Sequence, residues 1–250
     1  RAVTADSRAQ LDSLKQEIIT VLGHELRTPL FHITGYTDLA LDYLPRAQPQ
    51  EVLGFLQEVK RGGQRLARVV EDLQILLSLD SGLAEETYRS LASICCDLDV
   101  LVNETAKTYR TRAREAGLGL QVLCESMLPP VELCERYFCD ALGRLLDNAI
   151  KYSRPPGSVT VRVEGLGNRV KVVVEDQGIG IAASELPHVF DRFHQIDRAS
   201  EEQQGLGVGL AIAQGLVNLH SGHITVRSRP GAGSAFTIWL PVYGVHMVGG

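Results

Sequence analysis

Apolar residues recur at intervals of three and four through the first eighty positions. Leu11, Leu14 and Ile18 lead into Leu22, Leu26, Leu30, Ile33, Thr37, Ala40 and Leu44. That is the spacing of one helix face. Asp42 to Gln50 holds Pro45 and Pro49 and predicts a helix–helix connection. A second run follows: Val52, Leu56, Val59, Gly63, Leu66, Val70, Leu73 and Leu77. Its steps alternate four and three, which is a heptad seam. Two long helices and a short loop make an antiparallel hairpin. One hairpin cannot cover both of its own seams, so two copies are expected to form a four-helix bundle. Gly62 and Gly63 predict a soft spot within the second helix.

Beyond Asp80-Ser81-Gly82 the periodicity changes. Leu98, Leu101, Val102, Thr105 and Tyr109 predict a helix that stops near Gly117. Leu118 to Leu123 reads as a strand and Arg136 to Ser153 as a helix. Val159 to Val163 and Val170 to Val174 are β-branched runs joined by Gly-Leu-Gly-Asn, hence a hairpin. A helix is expected from about Gly207 to His220. Two last strands are expected at His223 to Arg227 and Ala235 to Leu240, around Pro230-Gly231-Ala232-Gly233. Mixed strands and helices of this kind predict a two-layer α/β sandwich. The expected organisation is a helical domain over 1–84 and an α/β domain over 85–250.

Composition narrows the function. The 250 residues are 44% hydrophobic and 22% charged, as in a globular protein. A formal charge of -5 argues against a sequence-independent nucleic-acid binder, which needs a basic footprint. Gln203 to Val226 and Pro230 to the end carry no Asp, Glu, Lys or Arg. Both are long enough to span a bilayer, but they are interrupted by glycines, polar residues and Pro241. They read as buried parts of a soluble domain, so no membrane segment is expected. The N-terminus shows no signal-peptide pattern and no initiator Met, which suggests a fragment of a longer chain. The five cysteines (95, 96, 124, 134 and 139) include no C-x-x-C pair. Buried free thiols in a reducing cytoplasm are expected rather than zinc or disulfides.

The first candidate for chemistry is His24-Glu25-Leu26-Arg27-Thr28-Pro29. At about 100° per residue, His24 lies about 200° from Leu22 and Leu26, opposite the seam. Thr28 sits one turn further on the same face, and Glu25 flanks it. An exposed His, an acid and a hydroxyl fit a nucleophile, a base and a water-positioning group; they equally fit a solvated helix face. H-E-x-x-H would need a second His at Thr28, which excludes that zinc motif. His32 shares the stripe without an adjacent acid and reads as surface. Pro29 removes the N–H that would bond the Glu25 carbonyl, so a kink is expected there.

The second candidate is a set of glycines. Asp176-Gln177-Gly178-Ile179-Gly180 follows a strand, and Gly205-Leu206-Gly207-Val208-Gly209 opens a helix. Backbone at such glycines can approach a phosphate. No Gly-Lys pair exists, so neither is a P-loop, and neither fits G-x-G-x-x-G. Upstream, Asn148 interrupts an apolar helix, with Lys151 and Tyr152 close behind. Its amide oxygen either ligates Mg²⁺ or closes a bond within its own helix.

These residues, in this order, resemble the catalytic core of a two-component sensor histidine kinase along nearly the whole chain. His24 to Leu30 is similar to the family's H box, Asn148 to Tyr152 to the N box, and Asp176 to Gly180 to the G1 box. Phe190-Asp191-Arg192-Phe193 is similar to the F box, and Gly205 to Gly209 to the G2 box. Pro230 to Phe236 resembles the last loop and strand of the ATPase domain. The resemblance implies a dimerisation and phosphoacceptor domain followed by a GHKL-type ATPase sandwich. It implies a homodimer through residues 1–84, ATP and Mg²⁺ as cofactors, and a cytoplasmic location. It implies that His24 accepts the γ-phosphoryl group and passes it to an Asp of a response-regulator receiver domain that docks on residues 31–60. Glu25 would act as base and Thr28 would position water for dephosphorylation. Asn148 would bind Mg²⁺, Lys151 a phosphate and Asp176 the adenine amino group, with Tyr152 beside the nucleotide. Gly178, Gly180, Phe193, Gly205, Gly207 and Gly209 would complete the nucleotide site, and His194 to Gln204 would be its lid. Two positions depart from the pattern: Arg144 replaces a common Asn, and Gly23 a common Ser. The competing reading is a non-catalytic, dimeric nucleotide-sensing scaffold.

Overall fold

The computed structural model describes residues 2–43, 49–196 and 206–244, without the side chains of 2–21, 24 and 49. Positions 44–48 of the expected connection, Leu44 of the first seam among them, Gly205 and lid positions 197–204 lie outside the described residues. Two compact units emerge: one holds the N-terminal helices up to Ile75 together with Gln195–Val208, the other holds Leu76–His194 and Gly209 onward around a β-sheet.

Helix α1 spans Ala2–Tyr43 and α2 spans Pro49–Asp80, with Pro49 at the first position, where a missing N–H costs nothing. α2 buries Gly62, Val69 and Leu76 and half-buries Phe55, Val59, Leu66 and Leu73. The inward face is therefore centred beside the predicted seam rather than on it. The alternate seam members Leu56, Val70 and Leu77 are 53%, 43% and 67% exposed. On α1, Pro29 and Ala40 are buried, whereas Leu30 of the predicted seam faces outward. Gly62 is no soft spot. A Cβ there would lie 2.9 Å from Ile33 Cγ1 and 3.0 Å from the Pro29 carbonyl oxygen, so the helices approach closely at Gly62. Gly63 faces open space. Helix α1 continues through Pro29.

The second unit begins in the last turn of α2. Helix α3 (Leu83–Leu91) and strand β1 (Ser93–Cys95) follow. Helix α4 (Leu98–Glu115) and strand β2 (Leu118–Cys124) come next, then β3 (Val131–Leu133) and α5 (Glu135–Tyr152). The hairpin of β4 (Gly157–Leu166) and β5 (Arg169–Glu175) turns at Gly167-Asn168, with Gly167 at φ 61°. Helix α6 (Gly209–Leu219) leads to β6 (His223–Ser228) and β7 (Ser234–Pro241). The five-stranded sheet has the order β2-β4-β5-β7-β6, parallel at β2–β4 and otherwise antiparallel. Strands β1 and β3 pair as a separate small sheet. Neither they nor α3 is legible in the sequence, because three-residue strands and one nine-residue helix carry too little periodicity.

One face of the sheet is apolar. Val159, Val161 and Val163 line up with Val170, Val172, Val174, Phe236, Ile238 and Leu240, all buried. Against them lie Phe138, Leu142, Leu145 and Leu146 of α5 and Ile212, Leu216 and Val217 of α6. Gly143 lets α4 and α5 approach, since any Cβ would strike the Tyr109 hydroxyl. Burial pushes that hydroxyl up to about 12. The five cysteines are free, but only Cys134 is fully buried and Cys96 is exposed, which corrects the expectation of uniformly buried thiols.

His220 ties the helical layer together. It is 2% exposed; Nδ1 donates to the Leu216 carbonyl at 2.7 Å and Nε2 accepts from the Cys134 N–H at 3.2 Å. The Tyr88 ring of α3 meets it edge-on at 4.9 Å. Both nitrogens are committed to the neutral ring, and burial, the largest effect, lowers its pKa from the ordinary 6.5. The unfolded chain therefore takes up this proton first. Its stabilisation is complete above pH about 6.5 and lost as pH falls through the lower folded value. The melting temperature of the α/β unit should fall between pH 7 and 5. His220→Gln should melt lower, by about 1–3 kcal/mol of lost buried hydrogen bonding, with a flatter pH profile. Equal pH slopes in both proteins would contradict this assignment.

Candidate functional site

In the helical unit, His24, Glu25 and Thr28 share two turns of α1. The side chain of His24 lies outside the described residues. Thr28 is half-buried. Glu25 is not on the exposed flank that the helical arithmetic gave it. It is 8% exposed and its Oε2 accepts from Arg65 of α2 at 2.8 Å. The wheel counts angles on one helix; the partner helix decides which angles are inside. Arg65 compensates the buried charge of Glu25, which on that face without a partner would be strongly destabilising.

In the α/β unit, the predicted nucleotide residues converge on the end of α5 and the loop after β5. The Ile179 N–H donates to the Tyr152 carbonyl at 3.2 Å, and Ser153 bridges to Gly178. This joins Asn148, Lys151 and Tyr152 to Asp176, Gly178 and Gly180. Asp176 is 6% exposed. Its Oδ1 accepts from the Gly178 N–H at 2.8 Å and the Ser234 N–H at 3.2 Å. Its backbone N–H donates to the Ser234 carbonyl at 2.9 Å. Burial is the main influence and pushes this carboxyl above its ordinary range, against the pull of the two N–H groups. Oδ2 is left without a hydrogen bond among the described residues, poised as an acceptor.

The glycines are close-approach positions. A Cβ on Gly178 would collide with the Tyr152 carbonyl. One on Gly180, at φ 68°, would collide with the Arg229 carbonyl. The Gly231 N–H donates to the Ile179 carbonyl at 2.6 Å. Ser228 Oγ accepts from the Ile181 N–H and donates to the Gly233 carbonyl, both at 2.8 Å. Sequence reading missed Ser228 and Ser234, since only the sheet brings β6 and β7 to this loop.

Asn148 is half-buried on α5, and its amide has no hydrogen bond among the described residues. The alternative of a bond within its own helix is therefore not realised. An uncommitted amide oxygen suits a hard cation such as Mg²⁺, so this position fits the implied metal. Lys151 lies 4.9 Å from the Tyr152 ring centroid, a cation–π pair at the surface. Arg144 donates Nε to Asp140 one turn back at 3.0 Å. Arg112 of α4 pairs with Asp147, beside Asn148. Ser153 Oγ is buried without a partner, a feature no sequence signal marked.

The remaining predicted residues are Phe193, Gly207 and Gly209. Phe193 is buried at φ 63°, Gly207 has φ 68°, and Gly209 opens α6. No hydrogen bond among the described residues ties these three to Asp176 or Asn148.

Comparison with known proteins agrees with both units. Residues 14–82 match the His Kinase A (phospho-acceptor) domain. Residues 135–244 match the histidine kinase-, DNA gyrase B-, and HSP90-like ATPase family. The circadian input-output histidine kinase CikA of Synechococcus elongatus is 31% identical, over 92% of this chain and 30% of its own length. The sensor histidine kinase RppB of Synechocystis is 32% identical, over 94% of this chain and 50% of its own. The chain thus spans half or less of the length of these curated relatives. Among solved structures, the Acinetobacter baumannii histidine kinase AdeS is 25% identical with a TM-score of 0.65, over 88% of this chain and 98% of that one. Full-length ShkA in complex with AMPPNP shares the fold at a TM-score of 0.63 and 24% identity, over 90% of this chain and 45% of that one. A phospho-acceptor domain followed by a matching ATPase domain, on a chain whose relatives are sensor kinases, places this protein among the histidine kinases of two-component signalling.

Proposed function

We propose that the chain autophosphorylates on His24 with ATP and passes the phosphoryl group to an Asp of a response-regulator receiver domain. The nucleotide corner carries this reading: a buried Asp176 with one oxygen committed and one open, a collision-tight glycine loop, and an uncommitted Asn148 amide. Asp176 Oδ2 accepts from the adenine amino group. Lys151 draws a phosphate and Tyr152 lies beside the nucleotide. Gly178, Gly180, Gly205, Gly207 and Gly209 let the backbone near it, with Phe193 completing the pocket. Asn148 holds Mg²⁺, which when bound neutralises triphosphate charge. A nitrogen of His24 takes the γ-phosphoryl group as the bond to ADP breaks, and Glu25, fixed by Arg65, receives the imidazole proton. Thr28 orients water against a phosphorylated partner.

Residues 1–84 are proposed as the dimerisation and phosphotransfer domain and 85–250 as the catalytic domain. The outward apolar stripe of Leu56, Val70 and Leu77 supports a homodimer, because solvent is a poor neighbour for it. The receiver domain is proposed to dock on residues 31–60. Among the described residues no helix is long and apolar enough to cross a membrane. A cytoplasmic location is part of the proposal.

Labelled ATP should give an acid-labile, base-stable adduct that disappears in His24→Gln. Label retained in that variant would move the site, His32 being the first suspect.

Nucleotide affinity should fall in Asn148→Asp, which sets a carboxylate beside the triphosphate. It should also fall in Asp176→Asn, which replaces an acceptor-only group with an amide. Calorimetry with unchanged affinity in both would refute the assignment.

Thr28→Ala should still autophosphorylate, while dephosphorylation of the cognate regulator falls at least about tenfold, or about 1.4 kcal/mol in barrier. Equal loss of both activities, with the dimer folded by circular dichroism, would show that Thr28 serves His24 itself.

A further inference from the structure

The last turn of α2 breaks a local rule. Asp80 is its final residue, and that turn contains no basic residue. A carboxylate at a helix C-terminus opposes the helix dipole. The conflict is resolved from far along the chain. Arg192, at the end of the loop before Phe193, donates Nη2 to Asp80 Oδ1 at 2.6 Å and Nη1 to Oδ2 at 2.7 Å. This is the bidentate fork that makes an Arg–carboxylate pair directional. It holds the Asp80 carboxyl below its usual range.

A second contact fixes the same turn. Leu79 lies against α6 at Gly215, where a Cβ would come within 2.8 Å of Leu79 Cδ1. Both contacts belong to the compact unit that starts at Leu76. The turn that carries Arg192 is costly in isolation. Phe193 is a bulky residue at φ 63° and 8% exposed, a conformation that surroundings must impose. The ring is held in the core on one side, and Arg192 is held by Asp80 on the other.

We propose that Asp80 is a positioning residue of the kinase: through Arg192 it holds the turn carrying Phe193 in the form that binds nucleotide. The end of α2 thereby becomes part of the ATP site's support, although it contacts no reacting atom. The pair is half-exposed, with side chains 52% and 45% accessible. Exposed pairs contribute little to global stability, so its effect on the site is separable from folding.

The inference rests on the nucleotide reading proposed above, and Asp176→Asn serves as its control. Trinitrophenyl-ATP binding would be titrated on the full chain carrying Asp80→Asn, Arg192→Gln or both. Each single variant should weaken binding about fivefold. The double variant should also weaken it about fivefold rather than about twenty-five-fold, because one interaction is lost once. Melting temperatures should stay within about 2 °C of the parent, and Asp80→Glu should restore most of the affinity. Unchanged affinity in the singles, or additive losses in the double, would overturn the role of the pair. If Asp176→Asn also leaves binding unchanged, the nucleotide site itself has been misplaced.

Discussion

Asp176 is a carboxylate buried at the edge of a sheet, and this corner of the α/β unit is arranged to make that burial tolerable. One oxygen is satisfied by two backbone N–H groups, from its own loop and from β7. Bringing both within reach demands the close passage of three chain segments. The loop after β5 touches the end of α5 at Tyr152, and the turn between β6 and β7 at Arg229 and Gly233. No side chain fits at those crossings, which is why glycine stands at 178, 180 and 233. Satisfying one oxygen and leaving the other uncommitted yields a single, rigidly aimed acceptor. The apolar sheet and its helices supply the rigidity.

The helical unit solves a different problem. Its two helices meet at Gly62, where the Pro29 carbonyl comes close, so the position that looks weakest in propensity is the one that sets the approach. Tight contact on that side leaves some apolar positions of α2 uncovered. Leu53, Leu56, Val70 and Leu77 face outward. Burying Glu25 within the hairpin depends on Arg65 across the groove. The acid beside His24 is thus oriented by the partner helix rather than offered to solvent.

Periodicity alone determined the helical hairpin, the main helices and the five strands of the large sheet, because burial on one face repeats every 3.6 or 2 residues whatever the neighbours. The order of the boxes likewise marked His24, Asn148 and Asp176 as the residues to watch. Only the tertiary structure decided which half of each seam is inside, since that depends on where the partner helix lies. Only it showed that Glu25 is buried and paired, that Ser228 and Ser234 brace the loop of Asp176, and that Asp80 meets Arg192. These contacts join positions 40 to 112 residues apart. No local pattern encodes them, because hydrogen bonds and ion pairs act across space and leave no period along the chain.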